Sequence, residues 1–158
     1  MYLHCRGGDP ASLRLVGAFM SASCLASSGL VLPRPARSAH TVLVVDDDEH
    51  CCYAVAKLIR HAGYGVIDAC AFTPALAALE DAEHPIDLLL TDVKMTPHGF
   101  ALARMAQRRR PSIKVVYLTG FPELADVETP VLGSKLLAKP IDPDALISAI
   151  DAFFSDAA

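Results

Sequence analysis

The run TVLVVDDDEH, Thr41 to His50, passes from four β-prone residues (Val42, Leu43, Val44, Val45) straight into four acids, Asp46, Asp47, Asp48 and Glu49. Two carboxylates about 4 Å apart repel by roughly 4 kcal/mol at an effective dielectric near 20. A buried strand that ends this way needs an offset: solvent, a basic partner or a divalent cation. Three more apolar runs also end in reactive groups. IDLLLTD (86–92) ends at Asp92, IKVVYLTG (113–120) reaches Thr119, and KLLAKP (135–140) reaches Lys139. In open α/β sheets, ligands gather beyond the carboxyl ends of the strands. Asp46, Asp47, Asp92, Thr119 and Lys139 would therefore face one rim. Such a set suits metal-assisted phosphoryl transfer. The acids would collect Mg²⁺, a hard cation that prefers oxygen ligands. One carboxylate can attack phosphorus, and the cation with a lysine would neutralise the phosphoryl oxygens. A hydroxyl such as that of Thr119 can donate to the same oxygens. Each feature alone has a plainer explanation, because a strand-end Asp is often just a helix cap. The ordered set of four strand ends is the specific signal.

The elements that must position these groups alternate from residue 41 onward. VLVV (42–45) is a short, continuous apolar run, as a strand buried on both faces should be. CCYAVAKLIRHAG follows as a helix with Cys51, Val55, Leu58, Ile59 and Ala62 on one face and Gly63 as its stop. GVIDACAF (65–72) reads as a second strand. Thr73-Pro74 is a cap and first-turn signal for the helix ALAALEDAE. The third strand, 86–92, leads to the helix FALARMAQRRR, which Pro111 ends. Its Arg108, Arg109 and Arg110 sit where the macrodipole favours cations, which makes a solvated helix end the simpler account than a nucleic-acid patch. After the fourth strand, Pro122 and Pro130 leave room for only a short helix. Asp142-Pro143 caps a last helix with a face of Leu146, Ile150, Phe153 and Phe154. Five strands alternating with five helices call for an α/β fold, a doubly wound parallel sheet covered on both faces.

Composition agrees with one packed domain: 158 residues, 53% hydrophobic and 20% charged. The formal net charge is −4, split as +3 over residues 1–40 and −7 over 41–158. That acid excess argues against nucleic acid as a partner of the domain. Five cysteines (Cys5, Cys24, Cys51, Cys52, Cys70) without repeated spacing do not form a disulfide framework, and reduced cytoplasmic thiols are expected. A zinc site from Asp48, His50 and Cys51 would lack paired ligand spacing. Residues 1–40 stand apart, being rich in Ser, Ala, Gly and Leu. Their apolar stretch is marginal for a membrane helix and partly signal-like. The expectation is a disordered extension or a mis-assigned start, with Met20 or a later codon as the true one, and no membrane association.

The motifs VLVVDDDEH, DLLLTDVKM, VVYLTG and LLAKPID, taken together, resemble the receiver domain of bacterial two-component response regulators, over about residues 41–156. The resemblance implies a flavodoxin-like (βα)5 fold with strand order 2-1-3-4-5. It implies that Asp92 accepts a phosphoryl group from a sensor histidine kinase or a histidine phosphotransfer protein. Asp46 and Asp47, with Asp92 and the backbone carbonyl of Lys94, would hold Mg²⁺. Thr119 would follow the phosphate and Lys139 would bind it. The added charge would bias a bistable loop and so switch binding of a downstream protein target. With some sixteen residues after Asp142-Pro143, a stand-alone receiver is expected, monomeric or weakly dimeric, and not an enzyme beyond its own phosphorylation and dephosphorylation.

The sequence also departs from the family pattern. Receivers usually carry Met-Pro three and four residues after the phosphorylated Asp and Gly eight after; here Met95 fits, Thr96 stands before Pro97, and Gly99 lies seven after. Three residues before the lysine, where an aromatic switch residue is usual, stands Leu136. Lys94 and Phe121 flank the site where the family tunes dephosphorylation. Other readings are a degenerate, phosphate-independent binding module, or an α/β domain whose strand-end acids only cap helices. A haloacid-dehalogenase-like phosphatase would use Asp46 and Asp48, but it requires an acidic pair after the lysine, and Asp142 and Asp144 read as caps.

Overall fold

A computed structural model describes residues 37–121 and 130–155. The elements, in chain order, are β1 (Thr41–Val45), α1 (Glu49–His61), β2 (Gly65–Ala69), α2 (Phe72–Glu80), β3 (Leu88–Asp92), α3 (Gly99–Arg109), β4 (Lys114–Thr119), β5 (Lys135–Ala138) and α4 (Pro143–Ser155). The short helix expected between Pro122 and Pro130 lies outside the described residues. All strand pairs are parallel, in the order β2-β1-β3-β4-β5. The chain first builds outward from β1 to β2, then returns past β1 to β3. The order therefore reverses between β1 and β3, which opens a crevice at their carboxyl ends.

Two apolar layers sandwich the sheet. Leu43, Val45, Leu89 and Tyr117 face one side with α2 and α3, through Leu79, Phe100, Leu102 and Ala106. Val42, Val44, Leu88, Leu90, Val116 and Leu118 face the other with α1 and α4, through Cys52, Val55, Ile59, Leu146 and Ile150. Central strands covered on both faces must be apolar at every position, which is why β1, β3 and β4 read as unbroken apolar runs. The edge strands β2 and β5 are only half-buried and carry Asp68 and Lys135.

Several local expectations need correction. The buried face of α1 is Cys52, Val55, Ala56 and Ile59, with Cys51 and Leu58 only partly covered. The helix begins two residues earlier than CCYAV suggests, at Glu49, because the Asp48 side chain accepts from the His50 and Cys51 amides at 2.9 and 3.2 Å. The second strand stops at Ala69, and α2 starts at Phe72, so Thr73 lies inside the first turn rather than capping it. The cap residue, Ala71, offers no side-chain bond. Gly63 does follow the end of α1, with a φ of +97° that favours glycine. Asp142 caps α4, accepting from the Asp144 amide at 3.3 Å.

The arginine run ties α3 to α2. Arg109 pairs with Glu80 at 2.6 Å, and Arg110 donates to the carbonyls of Leu79 (3.0 Å), Asp81 (2.5 Å) and His84 (3.1 Å). The first two bonds satisfy carbonyls at the end of α2 that have no helical partner, and the third holds the turn that follows. Residues 37–40, at the end of the compositionally distinct segment, are also bound into the fold. Arg37 makes a two-pronged pair with Asp151 of α4 (3.0 and 2.6 Å), Tyr64 donates to the same carboxylate at 2.5 Å, and the His40 ring stacks on Phe154 at 3.9 Å.

Candidate functional site

The crevice at the carboxyl edge holds the groups that the strand ends promised. Asp46 follows β1 directly and is 2% exposed; Asp92 closes β3 and is 5% exposed; Thr119 closes β4 and is fully buried. Lys139 follows β5, and its backbone amide donates to the Thr119 carbonyl at 2.7 Å, which fixes where its side chain starts. The Lys139 ammonium then reaches across β4 and lies 2.8 Å from both Asp46 Oδ2 and Asp92 Oδ1. Burial pulls the pKa of this lysine down, but its bonds to Asp46 and Asp92 outweigh that and hold it above the usual lysine value. In this structure, then, the repulsion between two buried carboxylates is offset by an ammonium shared between them.

Oxygen atoms of Asp46, Asp47 and Asp92 lie within 4.8 Å of one another. Asp47 is exposed, so the cluster opens to solvent on its side. The donors are all carboxylates, which suits a hard divalent cation and not zinc. Asp48, the acid of the conceivable zinc set, is occupied in capping α1. Backbone bonds from Cys51 and His50 hold its carboxyl below the usual range. Asp46 is itself oriented by the Asp48 amide, which donates to its Oδ1 at 3.0 Å.

Thr119 Oγ1 accepts from the Phe121 amide at 2.9 Å, which leaves the hydroxyl proton available to another acceptor. Lys94 sits exposed in the bend after β3, and its ammonium lies 4.6 Å from the Phe121 ring centroid, a cation–π contact that links the loops after β3 and β4. Gly99 opens α3 directly against the site: a Cβ there would meet the Asp92 carbonyl oxygen at 2.0 Å. The loop after Asp92 can thus be short only because its last residue has no side chain. Leu136 stands opposite Tyr117 in the β4–β5 register. Beside it, the fully buried Tyr117 ring is tilted against Phe100 at 4.7 Å and accepts from the Val131 amide at 3.4 Å. Sequence reasoning did not find that role, since Tyr117 reads as one more residue of an apolar strand. Beside Lys139, a groove of about 340 Å³ runs between α1 and the turn after β5, lined by Cys51, Ala54, Val55, Leu58, Pro140 and Ile141.

The model of the response regulator receiver domain matches residues 42–151. The chain belongs to this family. It is 33% identical to the response regulator receiver protein CpdR of Brucella abortus over 115 residues, 70% of this chain and 92% of that protein. It is 30% identical to the transcriptional regulatory protein GlrR of Escherichia coli, covering 73% of this chain but 26% of GlrR. Among solved structures, a response regulator receiver protein from Sinorhizobium medicae aligns with a TM-score of 0.68 at 26% identity, covering 73% of this chain and 94% of that one. The receiver domain of the hybrid histidine kinase CckA aligns at 0.62 and 28% identity, covering 72% and 98%. The protein is thus a receiver of two-component phosphorelay signalling, a family that works with histidine kinases or phosphotransfer proteins and binds Mg²⁺ in an acidic pocket. No described helix is long and apolar enough to cross a membrane.

Proposed function

We propose that Asp92 is the phospho-acceptor and that Asp46, Asp47, Asp92 and the Lys94 carbonyl are the Mg²⁺ ligands. The observation that carries this is the Lys139 ammonium at 2.8 Å from both Asp46 and Asp92. A cation already bridges the two carboxylates, one of which must become a nucleophile and the other a metal ligand. An Asp92 oxygen attacks the phosphorus of a phosphohistidine donor, the O–P bond forms, and the P–N bond to the imidazole breaks. Mg²⁺ supplies charge neutralisation for the phosphoryl oxygens when bound. Lys139 leaves Asp92 for the incoming phosphoryl group while keeping Asp46, and Thr119 donates its free proton to another phosphoryl oxygen.

The domain spans about residues 41–156, the work is done in the cytoplasm, and the output is altered binding of a protein target rather than turnover of a substrate. The phosphatase alternative is disfavoured because Asp142 caps α4 and supplies no second acid pair to the crevice. The test is intact mass after incubation with acetyl phosphate. One phosphoryl group should be gained with Mg²⁺ present, and none without Mg²⁺ or in Asp92→Ala. A gain that persists in Asp92→Ala would refute the assignment.

A further inference from the structure

α1 follows β1 and α4 follows β5, so both helices start at the acidic crevice and finish at the opposite, amino edge of the sheet. Each helix end carries carbonyls without helical partners and the negative pole of its dipole, which favour a cation. Asp151, near the end of α4, adds a carboxylate. The cation seated there is the guanidinium of Arg37. Its Nε and Nη2 donate to the two oxygens of Asp151 at 3.0 and 2.6 Å, and its Nη1 donates to the Ala62 carbonyl, at the end of α1, at 3.1 Å. All three nitrogens are engaged. Tyr64 donates its hydroxyl to Asp151 Oδ1 at 2.5 Å, which orients the carboxylate, and its ring centroid lies 5.7 Å from the guanidinium carbon. The Asp151 side chain is 15% exposed and Tyr64 is buried. A planar fork met on two edges is a recognition geometry that a lysine ammonium does not reproduce. Ala62, Tyr64 and Asp151 all lie within residues 42–151, the span that matches the family, whereas Arg37 lies outside it. The pocket therefore belongs to the domain, and its occupant comes from the chain that precedes the domain.

We propose that Asp151, Tyr64 and the Ala62 carbonyl form a guanidinium-binding pocket, and that Arg37 fills it as the releasable plug of a strap over residues 37–40. The ligand is a single arginine side chain, supplied by the chain itself. The rest of the strap is held at its other end, where the His40 ring stacks on Phe154 at 3.9 Å and the His40 carbonyl accepts from the Gly65 amide at 3.0 Å. Ser38 and Ala39 between them are exposed. With Arg37 seated, the strap clamps the end of α4 to the end of α1. With Arg37 withdrawn, the pocket keeps its carboxylate, its phenol and the two helix ends, so it accepts another guanidinium in the same pose. The pocket lies at the edge of the sheet remote from Asp92, and the inference is independent of which acid accepts the phosphoryl group.

The test is chemical rescue of the full-length chain, read by thermal melting. Arg37→Ala should melt below the parent. Nα-acetylarginine amide, at about tenfold its dissociation constant, should then raise the Tm of this variant by roughly 3–6 °C. The parent, with its pocket filled, should not respond. Neither should Arg37→Ala combined with Asp151→Asn, nor Arg37→Ala given Nα-acetyllysine amide. Where Arg37→Ala does not fold alone, Arg37→Lys supplies the same readout, because lysine holds the site without the fork and the arginine amide displaces it. No rise in either variant would overturn the pocket. An equal rise in the parent or in the double variant would mark a general solvent effect and overturn it as well. An equal rise with the lysine analogue would overturn its selectivity for guanidinium.

Discussion

Lys139 is the residue on which the electrostatics of the crevice turns. Its ammonium touches two carboxylates that are both nearly excluded from water. Breaking a fully buried pair commonly costs about 3–5 kcal/mol. Lys139 keeps 26% of its side chain exposed, so a smaller loss of about 1–3 kcal/mol is expected for Lys139→Met, through solvent screening. The pKa of Lys139 is raised, so its contribution is complete below the ordinary value of 10.5 and is lost only as pH rises through the higher folded value. Thermal melts should therefore place Lys139→Met below the parent across neutral pH, and the gap should close at strongly alkaline pH. Equal melting temperatures at pH 7 would show that the ammonium is not what holds the acids together. The residue types of this site were legible in the sequence because strand ends collect function. Their pairing was not: the order of residues does not say that lysine would bridge the acids, or that Gly99 would press on the Asp92 carbonyl. The bridge depends on distances across the sheet, and the Gly99 contact on the path of the loop between β3 and α3.

At the scale of elements, strands and helices were legible where periodicity was strong and blurred where caps decide the boundary. α1 shows why. The apolar pattern starts at Cys51, but the carboxylate of Asp48 captures the His50 and Cys51 amides and sets the first turn earlier. That shift turns Cys52, rather than Cys51, into the core. α2 also starts earlier than its pattern suggests: Thr73-Pro74 looks like a cap and first turn, yet the helix begins two residues sooner, after Ala71 and without a side-chain bond. The Asp48 cap makes a pH-dependent prediction. Its folded pKa is lowered, so its stabilisation is present above the ordinary value of 3.8 and is lost as pH falls through the lowered one. Asp48→Ala should melt below the parent at pH 7, and the two curves should converge on acidification below 3.8. A gap that stayed constant into acid would mean that the carboxylate is not the cap.

For the whole molecule, the parallel order β2-β1-β3-β4-β5 explains why four groups far apart in sequence share one crevice. Each β-α unit returns the chain to the same edge, so the ends of β1, β3, β4 and β5 all contribute to one site. A cation bound there stabilises the fold by mass action, about 2.7 kcal/mol at a free concentration a hundredfold above its dissociation constant. For a chain of this size each kcal/mol raises Tm by about 2–4 °C. Rising Mg²⁺ should therefore raise Tm progressively, and the rise should vanish in Asp46→Ala. A Tm indifferent to Mg²⁺ would return the acids to the role of helix caps. The central claim is narrower: the phosphoryl group sits on Asp92. The most direct measurement is to load the protein with acetyl phosphate and Mg²⁺, reduce the acyl phosphate with borohydride, and locate the resulting homoserine by peptide sequencing. Homoserine at position 92 is the expected result, and homoserine at position 46 would contradict the account.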